Sequence, residues 1–114
     1  MMTLRQFYLT KLAEECQEVA QRALKSMQFG AEQIQKGNEV KDGVAPPDRE
    51  TGLTNRQRLS NELDDLQAVV FVLQDMKEVN VDTLEDFNAY VLAKRQNIKK
   101  YLAYSQELGM VERG

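Results

Sequence analysis

Thr54-Asn-Arg-Gln-Arg-Leu-Ser-Asn-Glu-Leu-Asp-Asp-Leu-Gln-Ala-Val-Val-Phe-Val-Leu73 is the stretch on which the fold turns. It opens with Thr54 and, three residues on, Gln57. That is the capping-box pair in which a hydroxyl and a side-chain amide satisfy backbone N–H groups at a helix start. Leu59, Leu63, Leu66, Val70 and Leu73 then recur at helical spacing and define an apolar stripe. Val69, Phe71 and Val72 widen it, so this helix is expected to be central and to fade near Asn80.

Working outward, the same grammar appears twice more. Thr3 with Gln6 opens a first helix whose apolar positions are Leu12, Cys16, Val19, Ala23 and Met27, and Gly30 is its expected stop. A short helical extension over Ala31 to Lys36 is expected before Gly37. Asp82 with Glu85 opens a third helix, with Leu84, Phe87, Val91, Ile98, Tyr101, Leu102 and Leu108 on its buried side and Gly109 at its end. Residues 37–53 hold Gly37, Asn38, Asp42, Gly43, Pro46, Pro47, Asp48 and Gly52 and read as a loop insertion. A loop of that length in a small domain is usually functional or mobile. Residues 110–114 read as a tail. No strand pattern competes. The expectation is an all-α fold in one domain spanning 1–114: an antiparallel bundle of three long helices plus a short extra helix, completed by oligomerisation.

Composition narrows the chemistry. At 114 residues, a chain buries only about two-thirds of its unfolded surface, so self-association is a natural way to complete the core. The net charge of -3 lacks the basic stripe of a general nucleic-acid binder. Cys16 is the only cysteine, which excludes an intramolecular disulfide and fits a reducing compartment. Met1 to Tyr8 has no apolar signal-like run, and no stretch approaches the ~20 apolar residues of a membrane span. A cytoplasmic protein without membrane contact is expected. The chain contains no histidine, which removes His-based triads, most zinc sites and the Glu-x-x-His di-iron pattern.

Carboxylates remain, and they are patterned. Glu15 and Glu18 on the first helix, and Glu62 and Asp65 on the second, form two pairs of identical spacing, each on one helix face. Shifting the first helix by 47 positions lays Leu12, Cys16, Val19 and Ala23 on Leu59, Leu63, Leu66 and Val70, and the first acid pair on the second. Both pairs therefore sit on the same flank of their apolar stripes. Antiparallel packing in matched register would bring all four acids to one rim of the helix–helix contact. Two like charges ~4 Å apart repel by about 4 kcal/mol at an effective dielectric near 20. Such a site must protonate, splay apart or take up a cation. All-oxygen ligands suit Mg²⁺ or Mn²⁺, and Mg²⁺ bridges readily to phosphates. The competing reading is that both pairs are solvated and the chain is a non-catalytic helical interaction module.

Leu12-Ala-Glu-Glu-Cys-Gln-Glu-Val-Ala20 and Asn61-Glu-Leu-Asp-Asp-Leu66 together resemble the MazG-like all-α nucleoside triphosphate pyrophosphohydrolases, in their compact phage-type form. Glu14, Glu15 and Glu18 match that family's E-E-x-x-E motif, Glu62 and Asp65 its E-x-x-D motif, and Ala93-Lys-Arg-Gln-Asn-Ile-Lys-Lys-Tyr101 is a similar ending. The resemblance covers residues 9–104 as a pattern of helices, and its specific part is the acidic positions. It implies Mg²⁺-dependent cleavage of a (d)NTP to the monophosphate and pyrophosphate. Glu15, Glu18, Glu62 and Asp65 would hold the metal, and the Glu15/Glu18 side would orient or deprotonate the attacking water. It also implies sites formed within a homodimer or homotetramer. Glu14 lies about 100° round the helix from Glu15 and ranks below the four. The 43 residues between Glu18 and Glu62 exceed the family's usual connection, which leaves the substrate open, a phosphoribosyl-nucleotide included. In the basic cluster Lys94, Arg95, Lys99 and Lys100, the pair Lys94 and Asn97 is the candidate contact to substrate. The alternative is favourable charge near a helix C-terminus.

Overall fold

The computed structural model describes residues 1–34 and 51–114, and among these it is all-helical: α1 (Leu4–Phe29), α2 (Asn55–Asp75) and α3 (Leu84–Glu107). They fall into two compact units, Met1–Val79 with α1 and α2, and Asn80–Gly114 with α3. No helix among the described residues is long and apolar enough to cross a membrane.

Two of the expected capping boxes are formed in full. Thr3 Oγ accepts from the Gln6 N–H at 3.1 Å while the Thr3 N–H donates to Gln6 Oε1 at 2.9 Å. Thr54 and Gln57 repeat the exchange at 3.2 and 2.9 Å. The third helix departs from expectation by one residue. Thr83, not Asp82, is the N-cap, and its hydroxyl accepts from the Asp86 N–H at 3.1 Å. The residue at the reciprocal position is thus an aspartate, one methylene shorter than the Glu or Gln of a full box.

The short extra helix is also corrected. Its described part, Ala31 to Ile34, is a turn followed by an isolated antiparallel bridge between Ile34 and Thr54. The Asn55 N–H donates to the Gln33 carbonyl at 2.9 Å and the Arg56 N–H to the Ala31 carbonyl at 2.8 Å. Asn55 Nδ2 donates to the Gly30 carbonyl at 2.9 Å. Backbone groups that would have continued a helix instead tie the end of α1 to the start of α2. Asn55, only 2% exposed, is the pin. The rest of the proposed extension, and the 37–53 insertion up to residue 50, lie outside the described residues.

The α1–α2 hairpin is antiparallel. At one end Gly30 meets Asn55; at the other, Arg5 Nε pairs with Glu78 Oε2 at 2.8 Å. Helix α2 stops at Asp75, short of Asn80, because Lys77 turns the chain into the left-handed region at φ 61°. The Glu78 N–H then donates to the Leu73 carbonyl (2.9 Å) and the Lys77 N–H to that of Gln74 (3.0 Å), a Schellman motif. The end of α3 uses the same motif with the residue that suits it: Gly109 (φ 73°) donates to Gln106 and Met110 to Ser105. A left-handed non-glycine residue costs roughly 1–2 kcal/mol, and glycine returns roughly 0.5–1 kcal/mol of that as unfolded-state entropy. Lys77→Gly is therefore expected to stabilise the hairpin by ~0.5–1 kcal/mol, seen as a higher urea midpoint with an unchanged slope. A lower midpoint would mean that the Lys77 side chain contributes more than its backbone costs.

The seam between α1 and α2 differs from the stripes expected of them. On α1 the partly covered positions include Tyr8, Leu12, Glu15, Val19, Arg22 and Ser26, a heptad rhythm, flanked by Leu9, Lys11 and Lys25. Cys16 and Ala23 are exposed, and Met27 is 75% exposed. On α2 the buried residues are Asn55, Arg58, Glu62 and Leu73, whereas Leu63 is 48% exposed. Leu73 is the one buried hydrophobic residue among those described. The hairpin thus buries polar and charged groups through its middle and Leu73 towards the end carrying Arg5 and Glu78, while Leu12, Val19, Leu59, Leu66 and Val70 of the expected stripes are partly covered. Helix α3 has no buried residue: Leu84, Phe87, Tyr101 and Leu108 all exceed half exposure.

Candidate metal centre

Glu15 comes from the middle of α1, and Glu62 and Asp65 from the first half of α2, one turn apart on one face. One carboxylate oxygen from each of the three lies within 4.8 Å of the other two. The site sits inside the seam, not at its rim as the stripe-flank argument expected. Glu62 is 4% exposed, and Glu15 and Asp65 are half-buried. At that spacing each pair of ionised carboxylates repels by roughly 3–4 kcal/mol at an effective dielectric near 20.

Glu18, the fourth expected ligand, is exposed and lies outside this group. Glu18 stands about 60° round the helix from Glu15 at 100° per residue, on the line of the partly covered Lys11 and Lys25 at the flank of the seam. The pseudo-symmetry of the two acid pairs is therefore incomplete, with three carboxylates brought together and the fourth on the solvent side. Glu14 is exposed and paired with Lys11 at 3.1 Å, an ordinary i, i+3 surface contact.

Two observations bear on what balances the three charges. Glu15 Oε2 is buried without a hydrogen-bond partner, and a buried anionic oxygen in that state calls for a proton, a water or a cation. Arg58 is 2% exposed one turn before Glu62, and Arg22 is half-buried seven residues beyond Glu15. Arg22, Arg58, Glu62 and Asp65 are each engaged in polar or electrostatic contacts. The sequence reading missed both arginines. The signal was available, because Arg22 is i+7 from Glu15 and Arg58 is i−4 from Glu62, which places each on the face of its helix that carries the acid.

The donor set fits a hard divalent cation. Three carboxylate oxygens on one octahedral Mg²⁺ at ~2.1 Å would be ~3.0 Å apart when cis and ~4.2 Å when trans, so the side chains would draw together by up to ~2 Å from a spacing of 4.8 Å. Lys94 and Asn97 are exposed on α3, in the other unit, at i, i+3 spacing. No known protein family, curated protein or solved structure shows a significant match to this chain.

Proposed function

We propose that the chain is a cytosolic Mg²⁺-dependent nucleoside triphosphate pyrophosphohydrolase of the MazG-like kind. The observation that carries the reading is the convergence of Glu15, Glu62 and Asp65 with a buried, unpartnered oxygen on Glu15. A divalent ion bound there would neutralise the triphosphate and acidify a water for attack. Glu15, Glu62 and Asp65 hold it from within the seam. Glu18, on the adjoining exposed face, is free to orient water or accept its proton. Water adds to the α-phosphorus, the bond from that phosphorus to the oxygen bridging to the β-phosphate breaks, and pyrophosphate leaves with that oxygen. The test is pyrophosphate release from a panel of standard and modified (d)NTPs with Mg²⁺ or Mn²⁺. A monophosphate as co-product supports the reading, and silence across the panel with both metals removes it.

The second reading, a non-catalytic interaction module, is favoured by Arg22 and Arg58, which give the acids a purely structural use. The two readings part on metal: only the hydrolase gains stability from Mg²⁺ through these carboxylates.

The working form is proposed to be a homodimer or homotetramer. An isolated 24-residue helix such as α3 gains little stability from local terms alone, and its apolar side chains are exposed, as are Met27, Leu63 and Phe71 on the hairpin. Sedimentation equilibrium at micromolar concentration should return at least twice the 13.1 kDa of the chain. A strict monomer would remove this part of the proposal.

A further inference from the structure

A guanidinium group does not lose its proton in a protein, so the burial of Arg58 to 2% exposure demands compensating negative charge. The described groups able to supply it are few. On α2, Glu62 is buried one turn away on the same face, Asp65 is half-buried a turn further, and Asp64 points to solvent. On α1, Glu15 belongs to the same cluster, Glu18 and Glu14 are exposed, and the partly covered Lys11, Arg22 and Lys25 are of like sign. Of the neighbouring charges, Arg56 is turned outward to an exposed pair with Glu32 at 2.8 Å. Among the described residues, the carboxylates placed to compensate Arg58 are therefore those of the Glu15, Glu62 and Asp65 cluster. That cluster, with Arg22 and Arg58, carries three carboxylates against two guanidinium groups, so the seam is close to self-neutral before any ion arrives.

We propose that Arg58 is the built-in counter-cation of the Glu15–Glu62–Asp65 cluster and a positioning residue that competes with a divalent metal for it, lowering metal affinity in exchange for a hairpin that folds without metal. The competition rests on the metal-centre reading given above, whereas the counter-cation role does not. Arg58→Met keeps the buried stem and removes the charge; Arg58→Lys keeps the charge. A residue that merely filled space would weaken metal binding when replaced, because it would loosen the site. A competing cation has the opposite sign of effect.

The experiment uses the full chain stripped with EDTA. Mn²⁺ binding is followed by the loss of the free-ion EPR signal, and thermal unfolding by circular dichroism. Arg58→Met is expected to melt below the parent without metal and to bind Mn²⁺ at least about tenfold more tightly, the gain from removing one buried positive charge a helical turn from the ligand Glu62. Arg58→Lys should stay within about twofold of the parent's affinity, since the point charge is retained. Mn²⁺ binding by Arg58→Met equal to or weaker than the parent's overturns the competition. Should Arg58→Met be unfolded without metal, Mn²⁺ is expected to restore its helical signal, and failure to do so while Arg58→Lys is folded overturns the proposal. If neither parent nor variant binds Mn²⁺, the metal-centre reading and the competition fall together. The counter-cation role is then decided by the metal-free cycle of Arg58→Met, Glu62→Gln and the double variant. Coupling, with Glu62→Gln suppressing the loss, supports it, and additivity overturns it.

Discussion

Glu62→Gln is expected to abolish pyrophosphate release and the stabilisation by Mg²⁺ while leaving the metal-free hairpin as stable as the parent, or slightly more so. The two halves have one cause. Glu62 is the most buried of the three converging carboxylates, so its charge is the least screened and the most costly without a cation. Glutamine keeps the shape and one carbonyl acceptor, relieves two like-charge contacts, and leaves Glu15 and Asp65 opposite Arg22 and Arg58. Without metal, the repulsion removed is offset by the attraction to Arg58 and the hydrogen bonding lost, so the net change stays within about 1 kcal/mol. With metal, the picture reverses. A ligand at 100 times its dissociation constant stabilises by ~2.7 kcal/mol, a shift of roughly 10 °C in a domain of this size, and the variant should show none of it. Loss of metal-derived transition-state stabilisation of several kcal/mol corresponds to a rate loss on the order of 10³ or more. Thermal unfolding with EDTA and with Mg²⁺, run beside the pyrophosphate assay, reads all three quantities. A variant that melts well below the parent in EDTA would show that Glu62 is a structural ion-pair partner first. A variant that still gains from Mg²⁺ would move the metal away from this cluster.

The parts of the fold legible in the sequence are those set by local chemistry. Thr3 with Gln6 and Thr54 with Gln57 marked two helix starts because a capping box needs only residues three apart, and Gly30 and Gly109 marked stops because each takes a positive φ. Where a local signal was missing, the reading overran. Helix α2 was carried towards Asn80 because its left-handed terminator is Lys77, a residue with no such preference. Asp82 and Thr83 are both good caps, and only the geometry of the Asp86 N–H distinguishes them. The short helix expected from Ala31 is replaced over its described part, Ala31 to Ile34, because the Asn55 and Arg56 N–H groups donate to the Gln33 and Ala31 carbonyls across the hairpin, a pairing that single-segment periodicity does not contain.

Three of the four carboxylates singled out in the sequence, Glu15, Glu62 and Asp65, lie together, in a more covered setting than the stripes suggest. Periodicity assigned the contact face to the longest apolar stripe, so Glu15, Glu62 and Asp65 were placed on its flank and Cys16, Ala23, Met27 and Leu63 inside. In the hairpin the order is reversed through the middle of the seam. Glu15, Glu62, Asp65, Arg22 and Arg58 are covered there, and those apolar residues face out. Polarity alone could not reveal this, because the heptad of α1 mixes Tyr8, Leu12 and Val19 with Glu15, Arg22 and Ser26. The cation and the second copy of the chain proposed above are the partners that would suit hidden charge and exposed leucine.

Leu73→Ala is expected to be the most destabilising single change in the hairpin, at about 3 kcal/mol, within the range of roughly 2–5 kcal/mol for buried leucine truncations. Leu73 is fully buried, and it is the one buried hydrophobic residue among those described. It sits towards the end of α2 where Arg5 and Glu78 close the hairpin, and its carbonyl accepts the Glu78 N–H of the Schellman motif. Truncation removes apolar area and leaves a void next to that closure. A domain of this size has a total stability on the order of 5–15 kcal/mol, so the loss is a large fraction of it and should appear as a clear fall in the urea midpoint. The informative comparison is Leu63→Ala. Leu63, at 48% exposure in the single chain, should cost under about 0.5 kcal/mol on its own account. Measured across a dilution series, Leu73→Ala should lose the same amount at every concentration, because its burial belongs to one chain. A Leu63→Ala cost that grows with concentration, towards that of a buried leucine, would place the exposed stripe in an interface between copies. A Leu63→Ala cost that stays small at every concentration, with Leu73→Ala still large, would leave the hairpin standing on its own seam and assign the outward stripe no role in self-association.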